Sequence, residues 1–397
     1  MASILGTARG SDNAAASCYR SGKREESTMT VAQPPFRAEH VGSLLRPKAL
    51  TEAFRLHNRG DMDDVAFHAA QDEAVREVAA LQADVGLRMA TDGEFRRGSY
   101  WGHFIGPVEG LSVKEAVYTF RDDHGHEQAF IAPHIEGPVR RARGISTAEF
   151  AFLNAVTDAV PKITLPSPPT FHFWRGGAAF SPGSYDTPAA FFEDFARVYR
   201  EEIAELAGLG ARYIQLDEVP LAMLCDGNVQ AQVRAAGEDP DTLVGLYVEA
   251  INAAVAGRPD GMTVGLHLCR GNFKGKYLSE GGYEPVAERL FNDIAVDAFF
   301  LEYDTARAGD FSPLRLVPEG KHVVLGLMSS KLPELESVAD LVARIDDAAR
   351  YVPLERLSLS PQCGFASAVS GNPVTIDIER QKLARVVETA VQVWGEA

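Results

Sequence analysis

The chain has 397 residues, with 39 Lys plus Arg against 55 Asp plus Glu and a formal charge of −16. Such an acidic balance argues against a general nucleic-acid binder or a protein held on anionic lipid, and no run of 18 apolar residues offers a membrane span. Four cysteines (Cys18, Cys225, Cys269 and Cys363) are too scattered for a disulfide scaffold and suit a reducing cytosol, so a cytoplasmic protein is expected.

Residues 1–35 are rich in Ala, Ser, Gly, Arg and Lys, show no periodicity, and lack the apolar stretch of a signal peptide. They are read as a disordered extension, with Met29 a candidate start. Residues 36–397 are read as one catalytic domain.

From there, short apolar runs ending in polar or glycine-rich stretches predict eight strands, at 36–41, 87–91, 163–166, 211–215, 262–268, 298–301, 322–327 and 356–359. Between them, apolar residues recur at helical spacing over 61–83, 189–207, 240–256, 284–292 and 335–351, and over 375–394 at the end. Strand–helix alternation implies parallel strands with crossover helices, and eight units predict an α/β fold of the (β/α)₈ TIM-barrel type. An open doubly wound sheet is the alternative. About 70 residues separate the second and third strands, too many for an ordinary connection. There, 116–122 and 126–131 alternate around Asp123-His124-Gly125 and predict a β-hairpin insertion rimming the barrel mouth.

In such barrels, chemistry sits at the C-terminal strand ends. Those ends read His40-Val41-Gly42-Ser43, Asp92-Gly93-Glu94, Gln215-Leu216-Asp217-Glu218, His267-Leu268-Cys269, Glu302-Tyr303-Asp304, Ser329-Ser330-Lys331 and Gln362-Cys363-Gly364. Alternate strand residues share a face, so His267 and Cys269 project together. Mixed N/S donors suit zinc, and Cys363 and Glu302 end two later strands. Equally, both cysteines can be small buried hydrophobes and Glu302 half of an ion pair.

Glu94 and Asp217 can bind an ammonium or act as acid and base, or pair with Arg96, Arg97 or Arg270. Gly42-Ser43 can offer a backbone N–H and a hydroxyl to a carboxylate, or be an ordinary turn. His40 is a candidate acid or ligand, and a satisfied buried histidine otherwise. Tyr100, Trp101, Phe104, Phe171, Phe173 and Trp174 can stack on a planar ligand or pack a core. No dinucleotide, Walker or nucleophile-elbow motif is present.

Taken in order with Glu39 through Pro47, Asp92 through Arg97 and Lys162 through Pro168, these motifs resemble the cobalamin-independent methionine synthase family. The likeness is greatest to its short bacterial members, which consist of the catalytic domain. The resemblance implies a (β/α)₈ barrel, a Zn²⁺ held by His267, Cys269, Glu302 and Cys363, and an amino-acid thiol held by Gly42, Ser43, Glu94 and Asp217. It implies methyl transfer to homocysteine to give methionine, with a zinc-bound thiolate as nucleophile. The long family members use a second barrel in binding a polyglutamylated folate, and this length leaves no room for one. They also carry an acid histidine where Ser329 stands here. The expected donor is therefore one needing little acid assistance, such as a methylcorrinoid or a sulfonium, ahead of a methylated folate. Two other readings keep the site: alkyl transfer to another thiol, such as epoxide opening by coenzyme M, and a non-catalytic zinc- or thiol-binding barrel.

Overall fold

Apolar runs and amphipathic segments alternate as predicted in the computed structural model, which describes residues 33–121 and 124–397. Eleven strands follow in chain order: β1 (Met89–Ala90), β2 (Val108–Glu115), β3 (Phe120–Arg121), β4 (Glu127–Gln128), β5 (Ile131–Arg141), β6 (Val160–Pro166), β7 (Tyr213–Glu218), β8 (Thr263–Leu268), β9 (Ala298–Glu302), β10 (His322–Met328) and β11 (Leu357–Pro361). Seven of them form one sheet in the order β1-β6-β7-β8-β9-β10-β11. Every pairing in it is parallel. This is the curled sheet of the (β/α)₈ barrel. The expectation for residues 1–32, Cys18 included, lies outside the described residues.

The helices begin where the sequence caps them. Asp63 accepts from Ala66 N at the start of Asp64–Asp84, Thr187 caps Pro188–Gly208 and Asp239 caps Pro240–Val255. Proline in the first turn of the last two removes an N–H that would have no partner there. Thr375 caps Ile376–Trp394, and Gly395 ends it in the left-handed region at φ 78°. Helices Lys48–Asn58, Thr147–Val156 and Gly227–Ala235 were not predicted.

The predicted first strand is a weaker element than expected. Residues 36–41 make a single parallel bridge, Ala38 to Leu359, with Glu39 N donating to Leu359 O and Leu359 N to Arg37 O, both at 2.9 Å. On its other side β1 has only two residues, so side chains complete the seam. Gln82, from the helix Asp64–Asp84, donates from Nε2 to Thr91 O at 2.8 Å and accepts from Thr91 N at 2.9 Å. Above it, Thr91 Oγ1 donates to Gly42 O at 2.6 Å and Leu44 N to Gly93 O at 3.1 Å.

The insertion is larger than the hairpin read from sequence. β3 and β4 pair antiparallel where that hairpin was expected, although Asp122 and Asp123 of its turn lie outside the described residues. Outside them β2 and β5 form a longer antiparallel ladder. Together they carry Phe120 against Phe273 and Phe130 against Trp174, with ring centroids 5.3 and 5.4 Å apart.

A buried polar layer crosses the barrel below its mouth. Lys162 Nζ lies 3.1 Å from both Glu39 Oε2 and Gln215 Oε1, and Tyr213 OH donates to Glu39 Oε1 at 2.9 Å. A buried ion pair is tolerable only when hydrogen bonds complete both partners, and here they do. Among the described residues no helix is long and apolar enough to cross a membrane.

Candidate metal and substrate site

Strand β8 ends with His267 and Leu268, and Cys269 follows it. The alternation of the pleat therefore aims His267 and Cys269 the same way. Cys363 follows β11 by two residues, and its Sγ lies 3.3 Å from Cys269 Sγ across 94 residues of sequence. One donor atom from each of His267, Cys269 and Cys363 lies within 4.8 Å of the others, and all three residues are buried. Neither ring nitrogen of His267 has a nitrogen or oxygen partner, and the Cys269 thiol stands beside the ring. A buried imidazole whose neighbours are thiols is costly unless something else coordinates it. Two sulfurs and one nitrogen are the donors of a catalytic zinc centre, with room for a further ligand. The residues present therefore fit the metal.

Glu302 does not join this trio. It ends β9, fully buried, and its Oε2 accepts from Arg270 N at 3.0 Å. Its Oε1 faces Lys331 Nζ at 3.8 Å and Arg307 at 3.9 Å. Burial pushes the carboxyl up, but Lys331 and Arg270 outweigh it and hold the group below the usual range. Of the four expected ligands, His267, Cys269 and Cys363 converge, while Glu302 Oε1, without a hydrogen-bond partner, faces Lys331 and Arg307 at 3.8 and 3.9 Å.

The same cavity is lined by Ser43, Glu94, Asp217, His267, Cys269 and Cys363, with Tyr100, Phe120, Trp174, Val219 and Asn272 around them. Glu94 sits at φ 62°, in the left-handed region that non-glycine residues rarely adopt. Asp92 Oδ1 holds that turn by accepting from Glu94 N at 2.8 Å, and Arg46 donates to Glu94 O at 2.7 Å. The Glu94 side chain accepts from Thr164 Oγ1 at 2.7 Å.

Asp217 is the last residue but one of β7 and accepts from Gln215 Nε2 at 2.7 Å. Burial, then the neighbouring Glu94 carboxylate, raises its pKa to about 7. Gly42, at φ 142°, admits no side chain: a Cβ there would lie 2.6 Å from Thr164 Cγ2. Gly364 leaves space for the Ser43 hydroxyl, which a Cβ would meet at 1.9 Å.

His40 is placed elsewhere. It is buried in the seam with Nε2 2.8 Å from Gln82 Oε1 and does not line the cavity. Burial, with Lys162 nearby, drops its pKa to about 3. The ring is a neutral donor to Gln82, so the catalytic role expected for it lacks a geometric basis.

Of the candidate aromatic residues, Tyr100 and Trp174 line this cavity. Both have buried polar atoms, and the Tyr100 hydroxyl stands beside Thr170 and the Trp174 indole. Trp101 lines a larger adjoining cavity of about 550 Å³. Phe104, Phe171 and Phe173 are core residues. Phe120 and Val219 were missed: Phe120 reaches the mouth only through the insertion, and Val219, directly after β7, is an apolar residue with no chemical signal. Ser329 stands in the loop after β10, its N–H bonded to Glu336 Oε1 at 2.8 Å, and it does not line the cavity.

Comparison with known proteins bears on the family and the fold. The family described as cobalamin-independent synthase, catalytic domain, matches residues 37–390. The protein YxjH of Bacillus subtilis is 38% identical over 364 residues, 91% of this chain and 95% of its own. A methionine synthase of Pyrococcus abyssi is 28% identical over 326 residues, 82% of this chain and 85% of its own. Among solved structures, a putative vitamin-B12-independent methionine synthase from Listeria monocytogenes superposes with a TM-score of 0.72 at 31% identity, over 92% of this chain and all of that one. The chain belongs to the cobalamin-independent methionine synthase family of methyltransferases, whose catalytic domain it carries.

Proposed function

We propose that the protein is a zinc-dependent methyltransferase that methylates the thiol of homocysteine to give methionine. The observation that carries this reading is one cavity holding both the His267, Cys269 and Cys363 trio and the carboxylates Glu94 and Asp217. The Pyrococcus relative, by its name, makes methionine.

His267, Cys269 and Cys363 would hold the metal. Zinc so bound supplies the positive charge that removes the proton of a thiol at neutral pH. Glu94 and Asp217 take the substrate ammonium, two acceptors for one cation. An ammonium beside Asp217 offsets the burial and the Glu94 repulsion that raise its pKa, so binding favours the ionised form of Asp217. Ser43, beside the closely packed Gly42 turn, meets the substrate carboxylate with its hydroxyl. These contacts fix the sulfur in line with the incoming methyl carbon. A sulfur–carbon bond then forms, and the bond from that carbon to the leaving atom of the donor breaks, with its electron pair going to the leaving group.

The second cavity shares Tyr100, Phe120, Trp174, Asn272 and Ser367 with the first. Its position and aromatic walls suit it to the methyl donor, and the Tyr100 hydroxyl on its wall can donate to a leaving group there.

Zinc-edge X-ray absorption with and without L-homocysteine tests the reading. Gain of one sulfur in the metal shell is the expected result. An unchanged shell rejects homocysteine and directs the search to other thiols, coenzyme M first. Absence of zinc from the purified protein rejects the mechanism.

A further inference from the structure

Arg97 is wholly buried and surrounded by acceptors. Its Nε and NH2 reach Glu149 at 3.0 and 2.7 Å, and NH1 and NH2 reach Thr164 Oγ1 and Thr164 O, both at 2.9 Å. Glu94 Oε1 stands further off, 3.5 Å from Arg97 NH1. The bond to Glu94 comes instead from the Thr164 hydroxyl, a neutral donor. One guanidinium thus serves two buried carboxylates unequally: it grips Glu149 through two nitrogens' worth of contacts and only approaches Glu94. Glu149 itself lines neither cavity. It comes from the helix Thr147–Val156, between the insertion and β6.

The difference matters for a site that binds a cation. A carboxylate fully paired with arginine has little charge left to attract an ammonium, and moving the arginine away is costly in a dry interior. We propose that Glu149 is a positioning residue that holds the Arg97 guanidinium away from Glu94 and so keeps Glu94 available to the ammonium group of the thiol substrate. This rests on the amino-acid thiol reading given above.

The test measures binding on the zinc-loaded protein by calorimetry, with L-homocysteine and with 4-mercaptobutanoate, which is homocysteine without its amino group. The wild-type protein should prefer homocysteine. Glu149→Gln should weaken homocysteine by about tenfold or more, the size of a lost charged hydrogen bond, and leave 4-mercaptobutanoate and zinc content unchanged. Glu149→Asp keeps the negative charge and should restore most of the preference. The double variant Arg97→Met/Glu149→Gln removes both charges, so Glu94 is no longer drawn inward, and the preference should return there too.

A structural role alone predicts that Glu149→Gln weakens both thiols alike and that the double variant is worse, and that result overturns the proposal. Equal discrimination by Glu149→Gln and wild type overturns it as well. If the wild-type protein binds both thiols equally, it is the amino-acid reading that fails.

Discussion

The Gln82 side-chain amide makes with Thr91 the pair of hydrogen bonds that a neighbouring strand would have made, at 2.8 and 2.9 Å. Its Oε1 also takes the His40 Nε2 proton at 2.8 Å. One amide therefore closes the barrel where β1 is too short to do so. Gln82→Leu would leave a buried N–H, a buried carbonyl and an imidazole unsatisfied, at about 1–3 kcal/mol each. Urea unfolding should show a loss of several kcal/mol, and a loss under about 1 kcal/mol would mean that water or backbone pairing replaces the amide.

Cys269→Ser and Cys363→Ser should each abolish stoichiometric zinc, because a serine hydroxyl does not ionise to replace a thiolate donor. Cys225 is a control: its thiol is buried and donates to Leu221 O at 3.6 Å, apart from the trio. Cys225→Ala should keep full metal content by elemental analysis. Retention of zinc by both Ser variants would remove the metal centre.

Asp217→Asn keeps the shape of the site and its bond from Gln215 within reach, but removes a charge facing the substrate ammonium. Zinc content should be unchanged and the KM for homocysteine should rise about tenfold or more. Unchanged homocysteine kinetics would reject the role assigned to Asp217.

Glu302 is the common acceptor of Arg270 N–H and the ionic partner of Lys331 and Arg307. Glu302→Leu would leave buried positive charge without its partner, at about 3–5 kcal/mol. The denaturation midpoint of the purified variant measures this directly, and a wild-type midpoint would show that the two cations find other acceptors.

Glu379 gives a pH signature. Burial, opposed by the bond from Leu45 N at 2.8 Å, raises its pKa from 4.5 to about 8. The folded protein therefore holds a proton that the unfolded chain releases between those values. Stability from this group is complete below pH 4.5 and is lost as pH rises toward 8. Against Glu379→Gln, which stays neutral, the wild-type protein should lose relative stability between pH 5 and pH 8. Parallel stability curves across that range would contradict the assignment.

Much of the site is legible in the sequence because strand periodicity is local. The pleat alone places His267 and Cys269 on one face, and both Gly42 and Glu94 follow runs that end as strands end. The placements that the sequence does not reveal have a common cause. His40 and Ser43 are three residues apart near the same strand end, yet one serves the seam and the other the cavity. Nothing in the chain around His40 announces Gln82, which comes from a helix 42 residues later. Glu302 ends its strand as predicted, but its partners Arg270, Lys331 and Arg307 come from three separate loops.

By itself, then, the sequence determined the alternating elements, the capped helix starts and the chemical types at the strand ends. Those depend on side-chain spacing and on short-range hydrogen bonds. Only the tertiary structure decided which end groups meet: the two thiols at 3.3 Å, the carboxylate turned to cations instead of the trio, and the aromatic roof that the insertion lays over the mouth. Distance and desolvation act through space between residues far apart in the chain, and no local pattern carries them.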